Sequence, residues 1–271
     1  MIKRNIKLLI VLLTVALVTS VSIFYACKKE EKIINNPIVE NHEKNYEDHI
    51  KELITTTGID IYELRKLDKI RKIADVPREI MSVATEASLT KGEFTEAKLE
   101  QMQNLLAAIY AASTDNAILA LYESFCNICM TIDGFQMNNG IAIFNYDPAN
   151  PFIGFEKEML AASVLYEEIG NSYSSFPSLP QETQIEIIAA AIYLNLQNNN
   201  TKGPVEDCRN EALRMYAVTA SLATADLTGS LVGCAFTGPG AGACCAIAGA
   251  KYGVTMGVGY WQYKRAIKKC G

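Results

Sequence analysis

Apolar residues recur at helical spacing through most of the chain from about residue 46 onward. Between Asp60 and Ala74 they stand three residues apart with charged residues between them, at Ile61, Leu64, Leu67, Ile70 and Ile73. This spacing predicts an amphipathic helix. Pro77 then suits the first turn of a following helix, where its missing N–H group is not needed.

Apolar residues at helical spacing predict four more helices before residue 200. The first runs from Thr95 to Ala112, and Ser113-Thr114-Asp115 caps a second that continues through Phe125. The other two cover Ile153–Ile169 and Gln181–Gln197. Residues 133–152 interrupt the pattern with Asn, Gly and Pro, and the run Ile141–Tyr146 has the character of a short strand without an obvious partner.

The composition changes after a hinge at 198–204, because residues 205–271 are rich in Ala, Gly, Thr and Cys. We predict a helix from Val205 to about Phe236, a turn at Gly238-Pro239-Gly240 and a second helix from Ala241 to Lys269. The predicted fold is therefore all-α, with a helical domain over 46–200 followed by a helical hairpin over 205–271.

A hairpin that folds back at Pro239 places residues equidistant from that proline opposite each other. Cys234 then faces Cys244, and Cys208 faces Cys270. We predict a disulfide for each pair. The short turn brings the inner pair together, whereas the outer pair meets only if the helices stay side by side along their length.

Small residues repeat at four-residue steps on both hairpin helices, and they include Gly229, Gly233, Gly249, Gly253 and Gly257. The same register places Gly229 opposite Gly249, which predicts close packing of the two backbones against each other. It also brings Asp226 near Lys251. Three acidic residues at the open end, Glu206, Asp207 and Glu211, face three lysines, Lys264, Lys268 and Lys269.

Composition excludes several classes of function. The formal net charge is −5 and the isoelectric point about 5.3, and no long basic block argues for nucleic acid as the partner. Only two histidines occur, His42 and His49, which removes most histidine-based catalysis and most zinc sites.

No motif predicts a catalytic residue, a metal site or a cofactor. Cys126-Asn127-Ile128-Cys129 is a CxxC motif late in a predicted helix, and we expect a structural or disulfide role. A redox pair or half of a metal site are the alternatives. Asp147 and Glu156 form an acid–base pair in principle, but a solvated helix face is the simpler interpretation. Tyr260, Trp261 and Tyr263 indicate core packing, an interfacial belt or a ligand platform.

The N-terminus has the features of an export leader. Lys3, Arg4 and Lys7 precede an uncharged apolar run from Leu8 to Ala26, and Cys27 follows at once. A cysteine directly after a small residue resembles the bacterial lipobox, although Phe24 and Tyr25 stand where that motif has Leu and a small residue. Lys29-Glu30-Glu31 is similar to the tract that follows the cysteine in surface-exported lipoproteins of the Bacteroidota.

This resemblance implies a signal peptide over residues 1–26 and a lipid on Cys27, and the polar residues that follow indicate a tether over 27–45. It also implies a location in the cell envelope, at the outer membrane and facing the surface. The alternative is an uncleaved anchor, because about 20 apolar residues span a bilayer. An exported chain with eight cysteines is expected to form disulfides.

The expected function is a non-enzymatic interaction or structural role in the envelope. The expected partners are a membrane, through the lipid, and another protein, but no nucleic acid. The alternative is a membrane-active, bacteriocin-like effector, because cysteine-stapled Gly/Ala-rich hairpins resemble some antimicrobial peptides. Asp226 in mid-helix argues against lipid exposure, so we expect the hairpin to dock on residues 46–200.

Overall fold

Helices form all the regular structure in the described part of the chain. The computed structural model describes residues 43–85, 95–129, 131–132, 153–197 and 204–270. These residues contain nine α-helices and no strand, which confirms the all-α prediction for them. In chain order the helices are α1 Glu43–Thr57, α2 Ile61–Leu64, α3 Asp68–Thr85, α4 Glu96–Ala111, α5 Asp115–Cys129, α6 Ile153–Ser172, α7 Gln181–Leu196, α8 Pro204–Cys234 and α9 Ala241–Lys269.

Short polar side chains begin several of these helices. The Asp60 carboxylate accepts hydrogen bonds from the backbone N–H groups of Tyr62 and Glu63 at the start of α2. The Thr95 hydroxyl accepts one from Lys98 at the start of α4. These bonds satisfy N–H groups that have no partner within the helix, so the helix starts follow from local sequence.

The segment around Pro77 corrects one prediction. Two elements replace the single helix expected before Pro77, the short α2 and the long α3. Pro77 lies inside α3 and does not begin a new helix. Its side chain is buried, and the next residue, Arg78, donates a hydrogen bond to the carbonyl oxygen of Asn195 in α7 at 3.2 Å. Packing on α7 thus holds α3 in place although proline removes one helical hydrogen bond.

The C-terminal hairpin forms the centre of the helical unit. Helices α8 and α9 pack against each other, α8 also contacts α1, α3, α6 and α7, and α9 contacts α4 and α5. The described helices belong to one compact unit with a continuous core. The expected docking of the hairpin on the preceding helices is confirmed, and its two helices contact different sets of neighbouring helices.

Several predicted features lie outside the described residues. They are the signal peptide over 1–26 with Cys27, most of the tether over 27–45, the run Ile141–Tyr146 and the hinge at 198–203. Helix α1 begins at Glu43, close to the predicted end of the tether.

Candidate functional site

The seam between α8 and α9 carries two disulfide bonds. Cys234 is bonded to Cys244 with a Cα–Cα distance of 5.5 Å, and Cys208 to Cys270 with a Cα–Cα distance of 5.7 Å. The two cysteines of each pair are equidistant from Pro239 in the sequence, with separations of 10 and 62 residues. The predicted pairs are confirmed, and the outer bond shows that the two helices stay side by side from the turn to the open end.

An ion pair lies along the same seam. The Lys251 ammonium is 3.0 Å from the Asp226 carboxylate, and the two side chains are only 13% and 27% exposed. The register predicted this pair. Because neither charge is fully hydrated, each depends on the other for stabilisation, so the pair favours one alignment of α8 and α9.

Aromatic side chains fill the seam towards its open end. The ring of Tyr216 in α8 lies 6.2 Å from that of Tyr260 and 5.8 Å from that of Tyr263 in α9, between ring centroids. All three side chains are buried. Trp261, the remaining member of the predicted aromatic cluster, is half-buried. Of the three interpretations of this cluster, core packing describes the tyrosines, and their partner is the other helix of the hairpin.

Two of the predicted packing glycines contact helices other than the predicted partner. A methyl group added to Gly253 would lie 2.8 Å from the Phe125 ring of α5, and one added to Gly229 would lie 3.0 Å from Ile185 of α7 and from the Tyr166 hydroxyl of α6. The prediction that these two glycines face the other hairpin helix is wrong, because their nearest neighbours belong to the flanking helices. The glycines let the flanking helices approach α8 and α9 instead.

The remaining predicted packing glycines differ in their surroundings. Gly233 has no atom within 4 Å of where a Cβ would be, so it is not a site of close packing. Gly249 and Gly257 are buried within α9. Gly259 is a glycine that does face the opposite hairpin helix, because its added Cβ would lie 2.9 Å from Thr219 of α8. The signal was present in the sequence, because Gly259 and Thr219 are also equidistant from Pro239.

Cys126, Cys129 and Cys245 are free, buried thiols. The assignment of Cys126 and Cys129 to disulfides is therefore wrong. Both cysteines belong to one continuous helix, α5, where side chains three residues apart project side by side rather than towards each other. All three thiols lie near the buried hydroxyl of Tyr122 and raise its pKa together with burial, which is the largest cause.

Burial also disfavours the thiolate form of these cysteines. It raises the pKa of Cys126 to about 12 and that of Cys245 to about 12, and it raises the pKa of Cys129 as well. Because the thiolate is the nucleophile and the metal ligand, neutral buried thiols do not suit redox exchange. Across the part of the chain that the structure describes, no group of three or more His, Cys, Asp or Glu residues is placed to hold a metal ion.

The described carboxylates of α6 and α7 make single contacts or face solvent, whereas the predicted pair of Asp147 and Glu156 lies outside the described side chains. Glu168 forms an ion pair with Lys69, and Glu186 lies 3.7 Å from His49 of α1. Glu167 and Glu182 are exposed, whereas Asp147 and the side chains of Glu156 and Glu158 lie outside the described residues. The arrangement favours solvated helix faces that are linked by single ion pairs.

The chain matches no protein-family model, no curated protein and no solved structure. None of the helices in the described residues is both long enough and apolar enough to span a membrane. The site that the geometry defines is therefore the hairpin itself, namely a seam with two disulfides, an ion pair and stacked tyrosines.

Proposed function

We propose that this chain is a lipid-anchored protein of the cell envelope, whose helical unit has a non-enzymatic binding or structural role. The leader with Cys27 at its end supports the anchor and an outer-membrane, surface-facing location. The observation that carries the proposal is the pair of disulfides across the hairpin, because disulfides persist in oxidising compartments outside the cytoplasm.

The chemistry of the described side chains supports a role without catalysis. The three free thiols are buried and their pKa values are raised, so they are poor nucleophiles at neutral pH. On the hairpin, Asp226 pairs with Lys251, and the buried hydroxyls of Ser221, Thr224 and Thr228 donate hydrogen bonds to backbone carbonyl oxygens of their own helix. A module that is built for rigidity and displayed on a tether serves recognition or scaffolding better than turnover.

The alternative, a membrane-active hairpin, would require the bundle to open. The small-residue faces of α8 and α9 already contact other helices, α6 and α7 at Gly229 and α4 and α5 at Gly253. Release of the hairpin would expose this apolar surface and the Asp226–Lys251 pair. The free-energy cost of each exposure opposes insertion into a membrane.

Metabolic labelling with palmitate tests the anchor. The wild-type chain and a Cys126→Ala control should incorporate label, whereas Cys27→Ala should not, because only Cys27 occupies the lipobox-like position. Wild-type labelling of Cys27→Ala would contradict the proposal.

Release of dye from anionic vesicles separates the two candidate functions. The full mature chain should release none, because its hairpin is held inside the bundle. Dye release at micromolar protein concentration would favour the membrane-active alternative.

A further inference from the structure

The open end of the hairpin carries a group of cations, which we call the basic end. It consists of Arg209 on α8 and of Lys264, Arg265, Lys268 and Lys269 on α9. All are exposed except Lys264, which is half-buried. Within the described residues none of the five forms an ion pair, and the nearby Glu211 forms none either. The side chains of Glu206 and Asp207, expected to face the lysines, lie outside the described residues.

Helix electrostatics explains only part of the basic end. The C-terminus of a helix attracts cations within its last turn, and that accounts for Lys268 and Lys269. It does not account for Lys264 and Arg265, which lie a turn earlier. Nor does it account for Arg209, near the start of α8, where the macrodipole favours anions. The helix dipole therefore does not explain the positions of these three cations.

Aromatic rings hold two of these cations in place. The Arg265 guanidinium lies 4.3 Å from the centroid of the Trp261 ring, and the Lys264 ammonium lies 5.3 Å from that of Tyr260. The Cys208–Cys270 bond ties Arg209 to the same end of the hairpin. Cation–π contacts leave the charge available to an outside anion while they restrict the side chain, so the basic end is partly preorganised.

We propose that the basic end is a docking surface for the headgroups of an anionic phospholipid bilayer. Lysine and arginine beside a half-buried tryptophan are the combination found at membrane–water interfaces. Because the whole chain carries a net charge of −5, an anionic surface repels most of it and attracts this end. Adsorption would therefore orient the helical unit with the open end of the hairpin towards the lipid.

A bilayer is the expected partner rather than an acidic protein, and this choice rests on the proposed lipid anchor. An anchored unit is confined near a membrane, where a weak headgroup contact has a high effective concentration. The contact would be peripheral, because the tyrosines of the seam remain buried between α8 and α9 and nothing in it requires the hairpin to insert.

Vesicle co-sedimentation with the unlipidated mature chain, made without Cys27, tests the proposal separately from the anchor. The chain should bind phosphatidylcholine vesicles that contain phosphatidylglycerol, should lose that binding in high salt, and should not bind phosphatidylcholine alone. The variant Lys264→Gln/Arg265→Gln/Lys268→Gln/Lys269→Gln should bind at least about tenfold more weakly, since each cation near an anionic surface contributes to attraction.

The matched control neutralises four cations elsewhere, Lys51→Gln/Lys66→Gln/Arg71→Gln/Lys72→Gln, and should bind like the wild type. If the quadruple variant at the basic end does not fold, Lys268→Gln/Lys269→Gln alone should give a smaller loss in the same direction. No binding to anionic vesicles, equal binding to neutral ones, or an equal loss in the control would overturn the proposal. Failed palmitate labelling with intact vesicle binding would contradict the anchor and leave the docking surface standing.

Discussion

The seam between α8 and α9 and the outer faces of the same helices use opposite means of packing. The seam holds specific partners: two disulfides, the Asp226–Lys251 ion pair and the tyrosine stack. The outer faces hold glycines that bring α5, α6 and α7 close, as at Gly229 and Gly253. Covalent and charged pairs can select a register, whereas small residues only permit close approach. The alignment of the two helices and the close approach of their neighbours therefore come from separate surfaces of one hairpin.

The largest effect should come from removal of the outer disulfide. Cys208→Ser/Cys270→Ser opens a link with a sequence separation of 62, whereas Cys234→Ser/Cys244→Ser opens one of 10. Loop entropy predicts losses of about 4 and about 3 kcal/mol in the free energy of unfolding. Denaturant titration of both variants measures them. A larger loss at the inner bond would show that the turn, and not the length of the closed loop, dominates the seam.

Loss of the ion pair should be the next largest change at the seam. Asp226→Ala leaves the Lys251 ammonium, only 13% exposed, without its carboxylate, and the free energy of unfolding should fall by about 2 kcal/mol. The control Glu63→Ala breaks an exposed pair with Lys66 and should change it by less than about 1 kcal/mol. Equal effects in the two variants would remove the ion pair from the set of contacts that hold the register.

The outer faces are tested by a matched pair of glycine substitutions. Gly253→Ala places a methyl group against the Phe125 ring and should lower the free energy of unfolding by about 1–3 kcal/mol. Gly233→Ala meets open space and should raise it by about 0.5–1 kcal/mol, because alanine is the better helix former. Stabilisation by Gly253→Ala would show that α5 does not approach α9 closely.

The reaction rate of the free thiols tests their burial without any substitution and without a change in stability. Because burial raises the pKa of Cys126 and Cys245 to about 12, the folded protein at pH 8 should react with a disulfide reagent roughly a thousandfold more slowly than an exposed thiol. The rate should keep rising with pH above 9, where an exposed thiol is already ionised. Urea should make all three free cysteines reactive. Rapid reaction of the folded protein would place a thiol at the surface.

Much of the helical architecture could be predicted from the sequence, because stripes and caps are local. The helix start at Thr95 follows from a local cap, and both disulfide pairs follow from their spacing about the turn at Pro239. The continuation of α3 through Pro77 could not be predicted, since contacts with α7 hold that helix. The register of the hairpin was right, but the face of its glycines was wrong. A four-residue repeat shows that one side of a helix is small, and not which neighbour packs there.

Part of the candidate site could also be predicted from the sequence. Symmetry about Pro239 also brought Asp226 to Lys251. The free state of Cys126 and Cys129 could have been inferred, because the motif was predicted to lie late in a helix, where side chains three residues apart project side by side. The tyrosine stack was visible only as the α9 cluster, since its partner Tyr216 lies in α8, far away in the chain.

The register of the hairpin, centred on Pro239, can be tested by peptide mapping of the mature chain without reduction, after free thiols are blocked in denaturant. We expect Cys208 linked to Cys270 and Cys234 linked to Cys244, with Cys126, Cys129 and Cys245 all blocked as free thiols. A bond from Cys234 to Cys126 or Cys129, or one from Cys208 to any residue other than Cys270, would contradict it.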